Sequence, residues 1–251
     1  MNSLRTLSAI ALARSLIVLL MLWQLATQYL QLPRYILPSP LAVGTIIVQQ
    51  YSLLLSHTLP TMTETLLGFF LGVLFGCIAG ALLAFFRPMR SWLLPILIIS
   101  QVIPVFAIAP LLVIWLGYGI SSKIAATMLI IFFPITSAFH DGLQQTKQHW
   151  LDLAHTLHAT PWQLFRTIRL PAAMPKLASG IRIAAVSAPL GAIIGEWMGA
   201  SKGLGYLMVT ANAQMQIDLM FAALIFIIML ALVLYFSVDS LLRKIVWWAD
   251  V

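Results

Sequence analysis

Six long apolar stretches alternate with shorter polar segments along the chain. They lie near residues 11–30, 61–86, 92–116, 121–140, 177–198 and 218–241. A bilayer core about 30 Å thick is crossed by a helix of about 20 apolar residues, and each stretch approaches that length. A helix also satisfies its own backbone polar groups in lipid. The pattern therefore predicts an all-α membrane protein with six transmembrane helices, which form a single domain over residues 1–251.

The composition also favours lipid as the environment of these helices. Hydrophobic residues make up 61% of the chain and charged residues only 8%, so a water-soluble fold would expose large apolar patches. The net charge of +7 does not indicate nucleic-acid binding, because the basic residues are scattered between apolar stretches. The single cysteine, Cys77, lies within an apolar stretch and is typical of a small buried side chain rather than a metal ligand.

The basic residues predict how the chain is oriented in the membrane. With the N-terminus in the cytoplasm, eleven of the 14 Lys and Arg residues fall on the cytoplasmic side, and Arg34, Lys123 and Lys202 fall outside. Cytoplasmic loops are enriched in Lys and Arg, so we expect a multi-pass protein with both termini in the cytoplasm. A cleaved signal peptide is the alternative for the first stretch. Arg14 interrupts that stretch and no small-residue cleavage pattern follows, which favours a retained span.

Glycine spacing in the second predicted span indicates a helix-packing face. Gly68, Gly72, Gly76 and Gly80 recur at four-residue intervals, which places them on one side of a helix. Small residues on one side let a neighbouring helix approach closely in a membrane. We interpret the stripe as a packing surface, and a surface that slides during a conformational change is the alternative.

Four polar residues in or beside the spans are candidates for the lining of a transport pathway. Ser100 and Gln101 lie in the third span, which also holds three prolines that can kink it: Pro95, Pro104 and Pro110. Irregular helix is tolerated in a membrane where it is buried in protein or lines a wet cavity. An ordinary interhelical hydrogen bond is the alternative for Gln101. Glu64 and Glu196 lie near the outer ends of their spans, and a solvated helix end is the alternative for both.

The connection between the fourth and fifth spans, residues 144–176, concentrates basic residues and helix-stop signals. A first short helix is predicted over about residues 149–157, with a break at His158-Ala159. Thr160 is the predicted N-cap of a second short helix, with Pro161 at its first position and Gln163 completing a capping box. Pro171 and Pro175 are predicted to end that helix.

The second short helix is predicted to carry a docking surface. Trp162 and Phe165 are three residues apart and therefore neighbours on one helix face, with Arg166 beside them. Caps, aromatic spacing and proline stops favour a rigid element that binds a partner. The alternatives are a solvated connector, or packing of the aromatic pair against the protein's own helices.

Four segments together resemble a known family of membrane proteins. DLAHTLHATPWQLFRTIRLPAAMPKLASGIRIA (152–184) resembles the E-A-A-x-x-x-G loop of membrane subunits of bacterial ATP-binding-cassette (ABC) importers. LPSPLAV (37–43), IPVFAIAPLLVIWLGYG (103–119) and GEWMGASKGLGYLM (195–208) are similar to the nitrate, sulfonate, taurine and thiamine-precursor branch. In the loop, Asp152 stands where the family has Glu, Leu153 where it has the first Ala, and His158 where it has Gly. Glycine serves where the backbone needs a positive φ, and His is among the few other residues enriched there.

The resemblance implies a type I ABC importer permease in the bacterial inner membrane. Two permease copies would form the pathway, an extracytoplasmic binding protein would deliver the solute, and short coupling helices would fit a cleft in each ATPase subunit. The implied coupling residues are Asp152, Ala154, His158, Ala159, Trp162, Phe165, Arg166 and Pro171. The chain has no G-x-x-x-x-G-K-[ST] motif, so ATP-Mg is expected on the partner ATPase and no cofactor on this chain.

The resemblance also narrows the set of expected solutes. Among the solutes of the branch we prefer a thiamine-precursor pyrimidine, with sulfonate, taurine or nitrate as alternatives.

Two other classes of membrane protein are alternatives to a permease subunit. A stand-alone secondary transporter or channel is expected to use acidic or histidine relays at mid-membrane, where this chain has chiefly Ser, Thr and Gln. An intramembrane enzyme needs paired ionisable or metal-binding residues at one depth, whereas all five histidines fall in or beside loops and no H-E-x-x-H motif occurs. We therefore expect neither catalytic residues nor a metal site.

Overall fold

The structure is a computed structural model that describes residues 2–29 and 33–249. Its elements are helices throughout this part of the chain, which confirms the predicted all-α class. They are α1 (Asn2–Tyr29), α2 (Pro40–Gln49), α3 (Tyr51–Phe85), α4 (Arg87–Val102), α5 (Val105–Leu116), α6 (Ile120–Gln144), α7 (Gln148–Thr156), α8 (Pro161–Leu164), a π-helical turn (Phe165–Arg169), α9 (Leu170–Trp197), α10 (Leu204–Ala213) and α11 (Ile217–Ile245).

Four helices in the described residues are long and apolar enough to cross a membrane singly. They are α3, α6, the continuous helix Pro161–Trp197 and α11. Helices α4 and α5 together make a fifth candidate, which is bent by 103°. The predicted first span lies in α1, whose described apolar part, Ile17–Tyr29, is shorter than these spans.

The bend in the predicted third span occurs at Ile103-Pro104. Ile103 has an extended backbone (φ −80°, ψ 118°), which is the conformation that a following proline imposes. Pro104 then caps α5 from an extended conformation. Pro95 and Pro110 lie inside α4 and α5 without ending them. Of the three predicted kink sites, Pro104 alone therefore breaks the span.

Helix α6 lies between α3 and α9 in the centre of the molecule. The glycine stripe of α3 faces α6: a Cβ added at Gly68 would come within 2.5 Å of Thr127, and one at Gly72 within 2.5 Å of Ile131. On the opposite side, Gly191 of α9 approaches the backbone of Thr127 equally closely. The three helices are thus held together by backbone approach, as small residues permit in a membrane.

The predicted end of the second short helix is wrong. Pro171 and Pro175 do not stop it, because α8, the π-helical turn and α9 form one helix of 37 residues, Pro161–Trp197. The N–H of Leu170 bonds to the carbonyl of Phe165, which closes the wider π turn just before Pro171. Pro171 then occupies the first turn of α9, where a missing N–H is tolerated.

Candidate functional site

Residues 148–169 form a compact projection, which we call the knob. Helix α7 ends in a sharp turn at His158, whose φ is +49°. The N–H of Ala159 donates to the carbonyl of Ala154 at 3.0 Å, closing the helix end as left-handed C-terminal residues do. The expected break at His158-Ala159 and its positive φ are confirmed. Histidine therefore adopts the conformation that a glycine would take without strain.

The start of α8 is fixed by the predicted capping box. The N–H of Gln163 donates to Oγ1 of Thr160 at 3.3 Å, and the N–H of Thr160 donates to Oε1 of Gln163 at 2.8 Å. Pro161 occupies the first turn. Reciprocal capping satisfies two backbone donors that a short helix would otherwise leave unpaired. The knob is therefore an ordered element rather than a loose connector.

Several apolar side chains of the knob remain uncovered. We call this set the docking face: Trp150, Leu153, Leu157 and Trp162. Trp162 is 66% exposed. Asp152 and Arg166 are exposed near it, and Asp152 accepts a hydrogen bond from Gln148 at 3.0 Å. Large apolar side chains beside exposed charges are typical of a protein-binding surface.

Phe165 is held differently from Trp162. Its ring lies 4.9 Å from that of Phe85 at the end of α3, in an edge-to-face arrangement, and it packs against the central core. The rings of Trp162 and Phe165 are still neighbours, 5.7 Å apart. The aromatic pair is thus divided, with Phe165 turned towards the protein's own helices and Trp162 turned away from them.

At the opposite end of α9, Glu196 lies in a buried polar cluster that we call the outer knot. Its Oε1 accepts a hydrogen bond from Thr61 at 2.6 Å, and its Oε2 accepts one from the N–H of Gly205 at 2.5 Å. The N–H of Leu204 donates to Thr61 at 2.8 Å. Glu196 thereby connects α3 to the start of α10, where its carboxyl group accepts from a backbone N–H that the helix leaves unpaired.

Two glycines make room for this carboxylate. Gly203 has a φ of +122°, and a Cβ there would collide with the carboxylate of Glu196. A Cβ at Gly205 would come within 2.8 Å of the same group. The His57 ring adds a further link, with Nδ1 3.1 Å from the N–H of Gly203. Only glycine fits at these two positions.

Glu64 lies in the same cluster, close to Glu196. Glu196 is 1% exposed and Glu64 6%, so the alternative of solvated helix ends is wrong for both. Oε2 of Glu64 has no hydrogen-bond partner within the described part of the chain.

The structure does not bring the four pathway candidates together. Ser100 donates a hydrogen bond to the carbonyl of Leu97 at 2.7 Å within α4, and Gln101 is exposed just before the bend. Glu64 and Glu196 lie in the outer knot instead. Across residues 2–29 and 33–249 there is no group of three His, Cys, Asp or Glu side chains arranged for a metal ion.

Sequence reasoning missed most partners of the outer knot. Thr61 was not singled out, although it lies one helical turn before Glu64 and so shares its face. Lys123 was treated as a solvent-side charge, yet it is buried and its Nζ donates to the carbonyls of Tyr118 and Gly119 at 2.5 and 2.9 Å. The G-x-G spacing of Gly203 and Gly205 after Glu196 was the available signal for a close backbone approach.

Comparison with protein families gives a match over most of the chain. Residues 72–247 match the model of the binding-protein-dependent transport system inner membrane component. This match includes both the knob and the outer end of α9.

Three curated proteins are similar over nearly their whole length. A probable ABC transporter permease protein of Haemophilus influenzae is 55% identical over 92% of this chain and 94% of its own. The formylaminopyrimidine transport permease ThiX of Halalkalibacterium halodurans is 33% identical over 92% of this chain and 93% of its own. The riboflavin transport system permease RibX of Chloroflexus aurantiacus is 36% identical over 96% of this chain and 90% of its own.

Among solved structures, the MetNI methionine ABC transporter in an inward-facing conformation shares the fold. It superimposes with a TM-score of 0.66 at 21% identity, covering 78% of this chain and 97% of the matched chain.

Proposed function

Because the chain belongs to the family of binding-protein-dependent transport system inner membrane components, we propose that it couples solute import to a separate ATPase through the knob. That the chain is an ABC importer permease and not an enzyme follows from the family match and the relatives. The proposal concerns which surface couples, how the subunits assemble and which solute crosses.

The observation that carries the coupling role is the exposure of the docking face on an ordered knob. Trp162 and Leu157 are uncovered, while the capping box and the turn at His158 fix their positions. A buried aromatic anchor commonly supplies a large share of the binding energy of an interface. An ATPase that binds this face and changes conformation would move the continuous helix Pro161–Trp197 as a unit.

In the proposed mechanism, ATP-driven closure of two ATPases pulls two knobs together and turns the pathway from inward-open to outward-open. ATP-Mg binds to the ATPases and not to this chain. A second permease copy is proposed to cover the exposed apolar surface around the bend between α4 and α5, which includes Val102, Ile114 and Trp115. An extracytoplasmic binding protein releases the solute into the outward-open pathway.

For the solute we propose a formylaminopyrimidine-like thiamine precursor. The likeness to ThiX supports this choice, and the likeness to RibX favours a nitrogen heteroaromatic in general over the alternatives of sulfonate, taurine and nitrate. The test is ligand binding by the cognate extracytoplasmic protein, followed by uptake into vesicles that contain the permease with or without the ATPase. Uptake that needs both subunits supports the proposal, and uptake by the permease alone would establish a secondary transporter or channel instead.

The proposed orientation places both termini and the knob in the cytoplasm. Cysteines introduced as Gln148→Cys and Lys202→Cys, in a Cys77→Ser background, report the two sides of the membrane. An impermeant thiol reagent added outside intact cells is expected to label position 202 and not position 148. Labelling of position 148 alone would reverse the topology.

A further inference from the structure

A cavity of about 460 Å³ lies where the knob meets the ends of α3, α4 and α6. It is lined by Leu83, Ala84, Phe85, Arg90, Leu143, Gln144, Thr146, Gln148, Leu151 and Arg169. The permease function described above assigns it no role. Two of the lining side chains are guanidinium groups, and none is a carboxylate.

The charges of this cavity are not neutralised by hydrogen-bonded neighbours. Nε of Arg169 is buried and has no partner within the described residues, although burying a charged donor without an acceptor is costly. Arg90 forms no ion pair in the same part of the chain. The nearest acidic residues along the sequence, Asp141 and Asp152, lie outside the lining, and Asp152 already accepts a hydrogen bond from Gln148.

The uncharged polar groups of the lining add few donors to the two arginines. The Thr146 hydroxyl donates to the carbonyl of Leu143 at 3.3 Å and the Gln148 amide donates to Asp152 at 3.0 Å, so that Gln144 and the second N–H of the Gln148 amide remain beside the guanidinium groups. Arginine matches the oxygens of a phosphate group with a fork of parallel N–H donors. We propose that this cavity binds a phosphate group, and that the group belongs to the head of an anionic phospholipid in the cytoplasmic leaflet.

The neighbouring surface favours a lipid as the source of the phosphate. The corner between α3 and α4 exposes Phe85, Phe86, Met89 and Trp92 next to the cavity. Aromatic side chains concentrate at the level of the lipid head groups, and basic pockets on the cytoplasmic side of helix bundles bind anionic head groups. A headgroup in the cavity leaves its acyl chains along this apolar corner.

Binding there would also connect the membrane to the knob. Gln148 and Leu151 belong to α7, Arg169 ends the π-helical turn, and Arg90 belongs to α4. A phosphate held between Arg90 and Arg169 therefore fixes the knob relative to the membrane helices. This consequence rests on the proposed coupling role of the knob, whereas the binding itself does not.

The test measures lipid retention by the purified permease–ATPase complex with native mass spectrometry. Phosphatidylglycerol and phosphatidylcholine are titrated separately, because they share acyl chains and differ in net charge. We expect phosphatidylglycerol to bind about tenfold more tightly, because both lipids offer a phosphate to the arginines but the choline cation of phosphatidylcholine is repelled by them. Arg90→Gln and Arg169→Gln are each expected to abolish most of that preference.

Lys244→Gln is the matched control, because Lys244 is an exposed cation at the end of α11, outside the cavity lining. It is expected to keep the preference for phosphatidylglycerol. Arg169→Lys retains the charge but loses the fork, so we expect partial retention and an intact fold. Arg90 is exposed, which makes Arg90→Gln informative even where changes at Arg169 impair folding.

Competition with inorganic phosphate distinguishes a lipid headgroup from a soluble phosphate compound as the ligand of the cavity. Displacement of phosphatidylglycerol by millimolar phosphate, with the same dependence on both arginines, supports the phosphate site and assigns it to a soluble ligand. Failure of phosphate to compete supports the lipid headgroup. Equal binding of both lipids, or an equal loss in Lys244→Gln, overturns the proposal. A preference that appears only after the ATPase is removed also overturns it, since acidic groups of the partner would then occupy the cavity.

Discussion

The helix Pro161–Trp197 is held in opposite ways at its two ends. At the outer end Glu196 is 1% exposed and bonded to Thr61 and Gly205, and the preceding turns press glycines against α6. At the knob end Trp162 is exposed, and the ring of Phe165 packs against that of Phe85. One end is therefore fixed to the bundle by close packing, while the other leaves large side chains uncovered.

The π-helical turn lies between the exposed part and the closely packed part of this helix. It covers Phe165–Arg169, where α8 passes into α9. Such turns are frequent at functional positions within helices.

The largest expected effect comes from adding a methyl group where α9 packs closely against α6. Gly191→Ala places a methyl group on the backbone of Thr127, which cannot move aside without separating α9 from α6. We expect a loss of about 3 kcal/mol in stability, seen as a fall of about 10 °C in the thermal midpoint of the detergent-purified permease. Gly72→Ala meets the flexible end of Ile131 and is expected to cost about 1 kcal/mol.

Gly44→Ala is the control for both glycine variants. A Cβ at Gly44 has nothing within 4 Å, so alanine there is expected to be neutral or stabilising by up to about 1 kcal/mol. Equal thermal midpoints for the Gly191 and Gly44 variants would show that α9 is not fixed by close packing.

The second effect separates the role of Trp162 from that of Phe165 at the knob end. Trp162→Ala removes an exposed ring, so we expect the permease to stay folded while its affinity for the ATPase falls by about 2 kcal/mol, or about 30-fold. Phe165→Ala removes a ring packed against Phe85 and is expected to lower the stability of the permease alone by about 2 kcal/mol. Pull-down of the ATPase and thermal unfolding of the isolated permease measure the two quantities.

The opposite pattern would contradict the assignment of Trp162 to ATPase binding and of Phe165 to internal packing. If Trp162→Ala destabilises the isolated permease while Phe165→Ala reduces only ATPase binding, Phe165 is the docking residue and Trp162 the internal one.

The third effect concerns the carboxyl group of Glu196 in the outer knot. Glu196→Gln keeps the shape of the side chain but provides one acceptor oxygen instead of two for Thr61 and Gly205. We expect a cost of about 1–2 kcal/mol, localised at the start of α10, because one buried hydrogen bond is lost. Hydrogen–deuterium exchange of residues 203–213 is expected to accelerate. Gln101→Leu, on an exposed position of α4, serves as a control and should leave this exchange unchanged.

Local patterns in the sequence predicted the knob end of this helix better than the end that holds Glu196. The capping box at Thr160 and Gln163, and the turn at His158, depend on residues within a few positions of one another. The knot around Glu196 depends on Thr61, which is 135 positions away along the chain. Nothing in the local sequence specifies such a partner, so burial of the two glutamates was not predicted.

The proline signals failed for a related physical reason. Pro104 breaks its span because the preceding Ile103 is extended, whereas Pro171 is accommodated by the π-helical turn before it. A missing N–H can end a helix or be accommodated within it, as at Pro95 and Pro110, and the sequence does not distinguish these outcomes. The roles of the knob residues in coupling, and of Ser100 and Gln101 in a pathway, remain predictions.

The smallest expected effect is a gain in stability at His158, in the turn between the two short helices of the knob. His158 adopts a φ of +49°, a conformation that costs a non-glycine residue about 1 kcal/mol or more. His158→Gly is therefore expected to stabilise the knob by up to about 1 kcal/mol and to slow proteolysis between α7 and α8. His149→Gly, within α7, is the matched control and is expected to cost roughly 0.5–1 kcal/mol, because glycine is unfavourable in a helix. If both variants accelerate proteolysis equally, the side chain of His158 contributes more to the turn than its strained backbone costs.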